Sequence, residues 1–318
     1  MNPDPIHLEL EKLLFSKYAV PGATANAPTV FVLASPRAGS TLLYQWLINH
    51  FDIFYFPNLV NEHFSATPIL GGLLDSALAS VRPLKYSSAY GKTTGALSPS
   101  EASLILRRWF GGKHPSQTNS CAIFPEQVSH LIATLTGIHA MTGKPILIKN
   151  AWNCFRIQSL AERLPAACFI WLRRGIGKAA LSDLESRYRH GSPQEWNSAT
   201  PHNYCQLSKL PYWEQVVEQQ FETNHAVGQQ LQKLPTGRFI EIWYEQLCNS
   251  PGIILSQIRD FFGVHHLTCE NLEVTAPTLQ ESAGPQNMEE DKRHIDDYIR
   301  LAEDRFKPYQ FDSVAASG

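Results

Sequence analysis

The chain has 318 residues, of which 43% are hydrophobic and 18% are charged, and its formal net charge is -2 at pH 7. This composition is typical of a folded globular protein and excludes a disordered chain. A net charge so close to zero provides no overall attraction to nucleic acid or to an anionic membrane, so any anion site must be built locally.

The N-terminal part, residues 1–28, predicts a leading helix followed by a loop rich in Pro, Gly and Ala. It contains Asp4, Glu9 and Glu11 and no unbroken apolar run ahead of a small-residue cleavage site, so we predict no signal peptide. No stretch approaches the roughly 18 apolar residues that a membrane span needs. We therefore expect a cytoplasmic protein with no membrane span.

The cysteines form no CxxC pair, which argues against a metal-binding or redox motif. Cys154 and Cys168 lie within apolar segments, and we predict that both are buried free thiols. No bound metal is expected.

The first strand and helix predicted after the leader enclose a loop of small residues. Residues 29–34 form an apolar, β-branched run that indicates a buried strand. Residues 41–49 place Leu42, Trp46 and Leu47 at helical spacing. A strand, a small-residue loop and a helix in this order are typical of the opening of a nucleotide-binding unit.

The same alternation continues along the chain. Further strands are predicted at 145–149, 167–172 and 237–243, and further helices at 155–164, 177–190, 212–234 and 251–262. Strands that alternate with helices predict an α/β fold, a parallel sheet covered on both faces, and we expect one such domain over residues 1–318. Ligands of such sheets bind at the carboxyl ends of the strands.

Three segments, residues 65–120, 190–211 and 275–296, do not follow the alternation. They are mixed or polar in composition and are predicted to be irregular. Long irregular segments in a compact domain are often lids or binding loops, so we expect them to bind the substrate.

The loop after the first strand reads Ala34-Ser-Pro-Arg-Ala-Gly-Ser-Thr41. Small residues allow the backbone N–H groups to turn toward a phosphate at the helix N-terminus. A kinase or NTPase loop would read GxxxxGK[ST], but here Ala34 stands in place of the first Gly and Ser40 in place of the Lys. Arg37 supplies a positive charge suited to phosphate or sulfate oxygens.

This loop resembles that of the sulfotransferases that use 3′-phosphoadenosine-5′-phosphosulfate (PAPS), whose 5′-phosphosulfate loop reads approximately xxPRSGTT. The resemblance implies a P-loop type of fold and donor contacts from the loop residues Pro36, Arg37, Ala38, Gly39, Ser40 and Thr41. Ala38 replaces the family's Ser and loses one hydroxyl, whereas Ser40 replaces a Thr and keeps it.

A second family motif, roughly fIxxxRDPRDxxxS, matches Phe169-Ile-Trp-Leu-Arg-Arg-Gly-Ile-Gly-Lys-Ala-Ala-Leu-Ser182. The resemblance implies that Arg174 and Ser182 hold the 3′-phosphate of the nucleotide. The family's Asp-Pro-Arg-Asp stretch is absent, and Lys178 is a candidate to replace its lost Arg. Arg173 is interpreted as solvated or paired with a carboxylate.

Weaker matches near residues 144–149 and 239–264 extend the resemblance. They imply that Tyr244 lies near the nucleotide, although it is equally consistent with a residue that packs the sheet. The family transfers a sulfuryl group in line from PAPS to a hydroxyl or amine and releases 3′-phosphoadenosine-5′-phosphate (PAP).

The catalytic base is the main departure from the family. The cytosolic branch has a His two residues after a Lys, but Asn150 and Ala151 follow Lys149 here. Lys149 remains a candidate to stabilise the bridging oxygen of the leaving PAP. Another branch has a Glu base after the first helix and second strand, which makes Glu62 the first candidate for the base and His63 the second.

Two other functions stay open at this point. One is a degenerate P-loop kinase, which the missing Lys disfavours, and the other is a non-catalytic PAP or PAPS binder that lacks the base. The acceptor is expected to be a small molecule or a carrier-bound group. Aromatic residues near the first helix suit an apolar acceptor, but we favour their burial in the core; they are Trp46, Phe54, Tyr55 and Phe56.

Overall fold

A computed structural model describes residues 4–19, 27–86, 91–111, 125–267, 279 and 287–312. Its centre is a five-stranded sheet with the strand order β2-β3-β1-β4-β5, and every pairing in it is parallel. This confirms the predicted α/β fold. The strands are β1 (Thr29–Ala34), β2 (Phe54–Tyr55), β3 (Ile146–Lys149), β4 (Ala167–Arg173) and β5 (Phe239–Trp243).

Helices cover both faces of the sheet, so the central strands are buried. Every residue of β1 and β3 is buried, as is all of β4 except Arg173. The α-helices are α1 (Pro5–Tyr18), α2 (Ser40–His50), α3 (Asn58–His63), α4 (Asp75–Ser80), α5 (Ser103–Phe110), α6 (Pro125–Thr142), α7 (Ile157–Arg163), α8 (Ile176–His190), α9 (Tyr204–Leu207), α10 (Tyr212–Leu231), α11 (Tyr244–Asn249), α12 (Pro251–Val264), α13 (Glu289–Leu301) and α14 (Glu303–Phe306). Short 3₁₀ turns occur at Pro68–Leu74, Ala151–Phe155 and Lys307–Tyr309.

The segments predicted to be irregular are only partly so. Within 65–120, a 3₁₀ turn, α4 and α5 occur, while residues 87–90 and 112–124 lie outside the described residues. Within 190–211, only the single turn of α9 is helical. Residues 275–278 and 280–286 also lie outside the described residues, but α13 begins within 275–296 at Glu289 and corrects the prediction. Its acidic first turn and its apolar residues at helical spacing, with Ile295 buried, are the signals that the sequence interpretation missed.

The aromatic residues near the first helix belong to the core. Trp46, Phe54, Tyr55 and Phe56 are each at most 1% exposed, so they offer no surface to an acceptor. Cys154 and Cys168 are buried free thiols, as predicted. Burial raises the pKa of the Cys154 thiol to about 12, which keeps it protonated and unreactive. No helix in the described part of the chain combines the length and the apolar character that crossing a membrane requires.

Helix α8 contains a buried ion pair, and the arginine of this pair also bonds α10 and the segment between the two helices. Arg187 and Asp183 are both 0% exposed, and Nε of Arg187 donates to Asp183 Oδ2 at 3.1 Å. The guanidinium also donates to Gln215 at 3.0 Å and to Gln219 at 2.8 Å. Burial raises the pKa of the Asp183 carboxyl, while the Arg187 guanidinium acts in the opposite direction. The orientation of α8 therefore depends on this pair.

We predict that Arg187→Met lowers the free energy of unfolding by about 3–5 kcal/mol at neutral pH, because it leaves a buried carboxylate without its partner. This loss of unfolding free energy should become smaller as the pH falls through the raised pKa of Asp183. The folded variant then binds a proton at Asp183, and the buried group is no longer charged. Urea denaturation at several pH values measures both effects. The control is Arg189→Met, which removes an exposed pair with Glu185 and should change stability by no more than about 0.5 kcal/mol. Equal losses in the two variants would contradict the prediction.

Candidate active site

A cavity of about 480 Å³ opens where the central strands end. Residues that follow the carboxyl ends of β1, β3, β4 and β5 line it, together with the inner face of α8 and parts of the segments 91–101 and 197–198. This is the edge at which parallel sheets bind ligands. The cavity is therefore where the sequence motifs should meet.

The loop between β1 and α2 turns tightly because two of its residues have left-handed backbone angles. Arg37 has φ 63° and Gly39 has φ 91°. A Cβ atom on Gly39 would lie 2.3 Å from Cδ2 of Tyr244, so only glycine fits against that ring. Alternating backbone angles of this kind direct successive N–H groups to one side, toward the N-terminus of α2. The loop can therefore hold an anionic group.

The two motifs that lie far apart in the sequence are in direct contact. Nε of Arg37 donates to Oγ of Ser182 on α8 at 3.3 Å. Nη1 of Arg174 donates to the Arg37 carbonyl oxygen at 3.0 Å, and its guanidinium carbon lies 4.7 Å from the ring centroid of Tyr244. All four residues line the cavity. The predicted 5′-phosphosulfate and 3′-phosphate residues thus share one site.

Lys149 brings a third positive charge to the same cavity from the end of β3. It is 5% exposed, and Nζ donates to Oγ1 of Thr41 at 3.1 Å. The ammonium also forms a close ion pair with Glu101. Thr41 in turn donates to the carbonyl oxygen of Gly91 at 3.3 Å. These contacts link the phosphate loop, β3 and the segment 91–101.

Glu101 lines the cavity, and the sequence interpretation did not find it. The chain leading to it is held against the end of β2, since the Ser100 N–H donates to the Phe56 carbonyl oxygen at 2.9 Å. Asn150, beside Lys149, donates through Nδ2 to the Glu101 carbonyl oxygen at 2.9 Å. Ala102 follows with a left-handed φ of 53°. No spacing in the sequence indicates this position, because the contacts that hold it, from Ser100 to Phe56 and from Asn150 to Glu101, join segments far apart in the chain.

The structure does not bring Glu62 and His63 into the cavity. Both are exposed at the end of the short helix α3, and neither lines the site. Lys178 is exposed on α8 and also lies outside the lining.

Arg173 is paired with a carboxylate, as the sequence interpretation allowed. It donates to Glu241 at 2.7 Å and packs on the Trp243 ring at 4.3 Å. The two adjacent arginines of the second motif therefore differ in function: Arg174 faces the cavity, whereas Arg173 holds β4 to β5. Among the described residues, no group of three or more His, Cys, Asp or Glu side chains is placed to hold a metal ion.

Comparison with known proteins agrees with this fold. Among solved structures, the chain is similar to sulfotransferase STF1 from Mycobacterium tuberculosis H37Rv, with a TM-score of 0.52 and 15% identity, covering 93% of this chain and 81% of that one. It is also similar to sulfotransferase STF9 from Mycobacterium avium, with a TM-score of 0.50 and 13% identity, covering 92% of this chain and 72% of that one. At these identities the likeness concerns the fold. No curated protein matches the sequence. The profile of the sulfotransferase family matches residues 28–268, which is most of the chain, and the chain therefore belongs to the sulfotransferase family.

Proposed function

We propose that this sulfotransferase takes its sulfuryl group from PAPS and transfers it to a hydroxyl or amine, releasing PAP. The observation that carries the proposal is the hydrogen bond from Arg37 to Ser182, which joins the two nucleotide motifs in one cavity. Two anionic groups of one nucleotide could then be bound at once, the 5′-phosphosulfate at residues 35–41 and the 3′-phosphate at Arg174 and Ser182.

The charges in the cavity suit this donor. Arg37 and Arg174 offer planar forks to phosphate or sulfate oxygens, and the N-terminus of α2 adds a favourable dipole. Tyr244 lies between the loop and Arg174 and would form one wall of the nucleotide site. Within the loop, the proposed donor contacts are those of Pro36, Arg37, Ala38, Gly39, Ser40 and Thr41.

Lys149 is suited to stabilise the leaving group. An ammonium group has three N–H donors, and Thr41 and Glu101 occupy two of them. In the proposed complex, the third donates to the oxygen that bridges sulfur and the 5′-phosphate. In the proposed step, the acceptor atom attacks sulfur, the S–O bond breaks in line, and the developing negative charge on PAP is stabilised by Lys149.

The geometry favours Glu101 as the base over Glu62 and His63, the candidates from the sequence. Glu101 lies in the cavity beside Lys149, and the Asn150 side chain holds its backbone. A carboxylate in this place can take the proton that the acceptor loses as the new S–O or S–N bond forms. A protein that only binds PAP or PAPS would have no need of this arrangement, and a P-loop kinase would need the Lys that Ser40 replaces.

The nucleotide assignment predicts tight PAP binding in calorimetric titration and no heat of binding from ATP or ADP. We expect Arg174→Ala to weaken PAP binding by about 2–3 kcal/mol, because it removes a charge-assisted contact. The matched control is Arg173→Ala, which removes the same type of side chain from the neighbouring position outside the cavity and should leave the Kd for PAP unchanged. Binding of ATP without PAP would overturn the assignment.

The assignment of the base predicts that Glu101→Gln lowers kcat by about 10²- to 10⁴-fold, since the amide keeps the shape but cannot accept the proton. The Kd for PAP should stay the same, which separates loss of the base from loss of the donor site. Glu62→Gln and His63→Gln, made in parallel, test the other candidates and should retain turnover. If Glu62→Gln loses activity while Glu101→Gln keeps it, the base is Glu62.

A further inference from the structure

The hydroxyl of Thr41 lies where the phosphate loop, the end of β3 and the segment 91–101 meet. It accepts a hydrogen bond from Nζ of Lys149 at 3.1 Å and donates one to the carbonyl oxygen of Gly91 at 3.3 Å. The directions of both bonds are fixed, because an ammonium group can only donate and a carbonyl oxygen can only accept. Thr41 is 8% exposed, and all three residues line the cavity. The side chain is therefore bound on both sides by groups of the protein.

Distances around Gly91 place the Glu101 carboxylate at the same point. Gly91 has a left-handed φ of 89°. A Cβ atom built on it would lie 3.4 Å from Oε1 of Glu101, 3.7 Å from Oγ1 of Thr41 and 4.0 Å from Nζ of Lys149. The Lys149 ammonium forms its ion pair with the same carboxylate. The backbone of Gly91 therefore packs against all three side chains, and we call these four residues the Thr41 cluster.

The Gly91 carbonyl oxygen belongs to a segment that is anchored on its outer side. Nδ2 of Asn58, at the start of α3, donates to the carbonyl oxygen of Thr93 at 3.1 Å. Oγ1 of Thr93 donates to the Pro99 carbonyl oxygen at 2.7 Å, which closes the segment on itself. The acceptor of the Thr41 proton is thus held in place by the protein's own contacts.

The number of protons on the Thr41 hydroxyl limits what it can bind. A hydroxyl has one proton, and in the Thr41 cluster this proton is donated to Gly91. The oxygens of a phosphosulfate are acceptors, so a donation to them would require the hydroxyl to turn away from Gly91 and leave that carbonyl oxygen without this partner. The backbone N–H of Thr41, in the first turn of α2, has no such restriction and is suited to the donor.

We infer that the Thr41 hydroxyl is a positioning group, which orients the Lys149 ammonium toward the leaving oxygen and makes no contact of its own with the donor. The inference rests on the proposed function, in which Lys149 stabilises that oxygen, and it adds a residue that acts through Lys149. Two acceptors orient the ammonium, and without the hydroxyl only the Glu101 carboxylate would remain. The ammonium would then turn toward this carboxylate and away from the leaving oxygen.

PAP tests the inference without an acceptor, because the former bridging oxygen becomes a terminal oxygen of its 5′-phosphate. Calorimetric titration with PAP compares the wild type, Thr41→Val, Lys149→Met and the double variant. We expect Thr41→Val to raise the Kd for PAP about 3- to 10-fold, since valine keeps the branched shape and removes the hydroxyl. In the Lys149→Met background, the same change should leave the Kd within about twofold, because the ammonium that the hydroxyl orients is gone.

Two further variants separate the orientation of Lys149 from a general loosening of the site. Thr41→Ser keeps the hydroxyl and should retain the wild-type Kd within about twofold. Thr93→Val removes a hydroxyl that braces the same segment without touching Lys149, and it should also leave the Kd for PAP unchanged. If Thr93→Val weakens PAP binding as much as Thr41→Val does, the segment rather than the ammonium is responsible, and the inference is wrong.

The outcomes of the cycle separate this inference from the proposed function. Equal fold changes from Thr41→Val in the two backgrounds would mean that the hydroxyl contacts the donor directly, and an unchanged Kd in Thr41→Val would mean that it has no role in the site. Either result overturns the inference alone, since the wild type still binds PAP. A wild type that does not bind PAP contradicts the proposed function, and the inference fails with it.

Discussion

Three positive charges, on Arg37, Lys149 and Arg174, lie in one cavity of a chain whose net charge is -2, and the rest of the site is arranged around them. Each is held by a different kind of contact. Lys149 forms an ion pair with the Glu101 carboxylate. Arg174 donates a hydrogen bond to a backbone carbonyl oxygen and packs on the Tyr244 ring, and Arg37 donates to the Ser182 hydroxyl.

Helix α8 supplies one wall of the cavity. Ser182, Ser186 and His190 are spaced four residues apart, so they share one face of this helix, and all three line the cavity. On its other side, Arg187 ties the helix to α10. The bonds of Arg187 to α10 therefore hold the cavity-lining side chains of α8 in place.

The fold and the nucleotide motifs could be read from the sequence because they depend on local patterns. The apolar run of β4 predicts a buried strand whatever its neighbours are, and Arg174 and Ser182 are separated by a spacing that one strand end and one helix determine. Helix α13 carried such a pattern and was missed. Glu101 carried none, because its place in the cavity depends on a backbone hydrogen bond from its neighbour Ser100 to Phe56 and on the side chain of Asn150, which follows β3.

By itself, the sequence determined the parallel α/β fold and predicted an anion-binding loop and two nucleotide motifs, since periodicity and short spacings act within one strand, loop or helix. Only the tertiary structure decided that Arg37 meets Ser182, that Glu101 rather than Glu62 lies beside Lys149, and that Gln219, bound by Arg187, holds the backbone at Asn197. These features join segments far apart in the chain, and their geometry follows from packing and buried hydrogen bonds that no local pattern encodes.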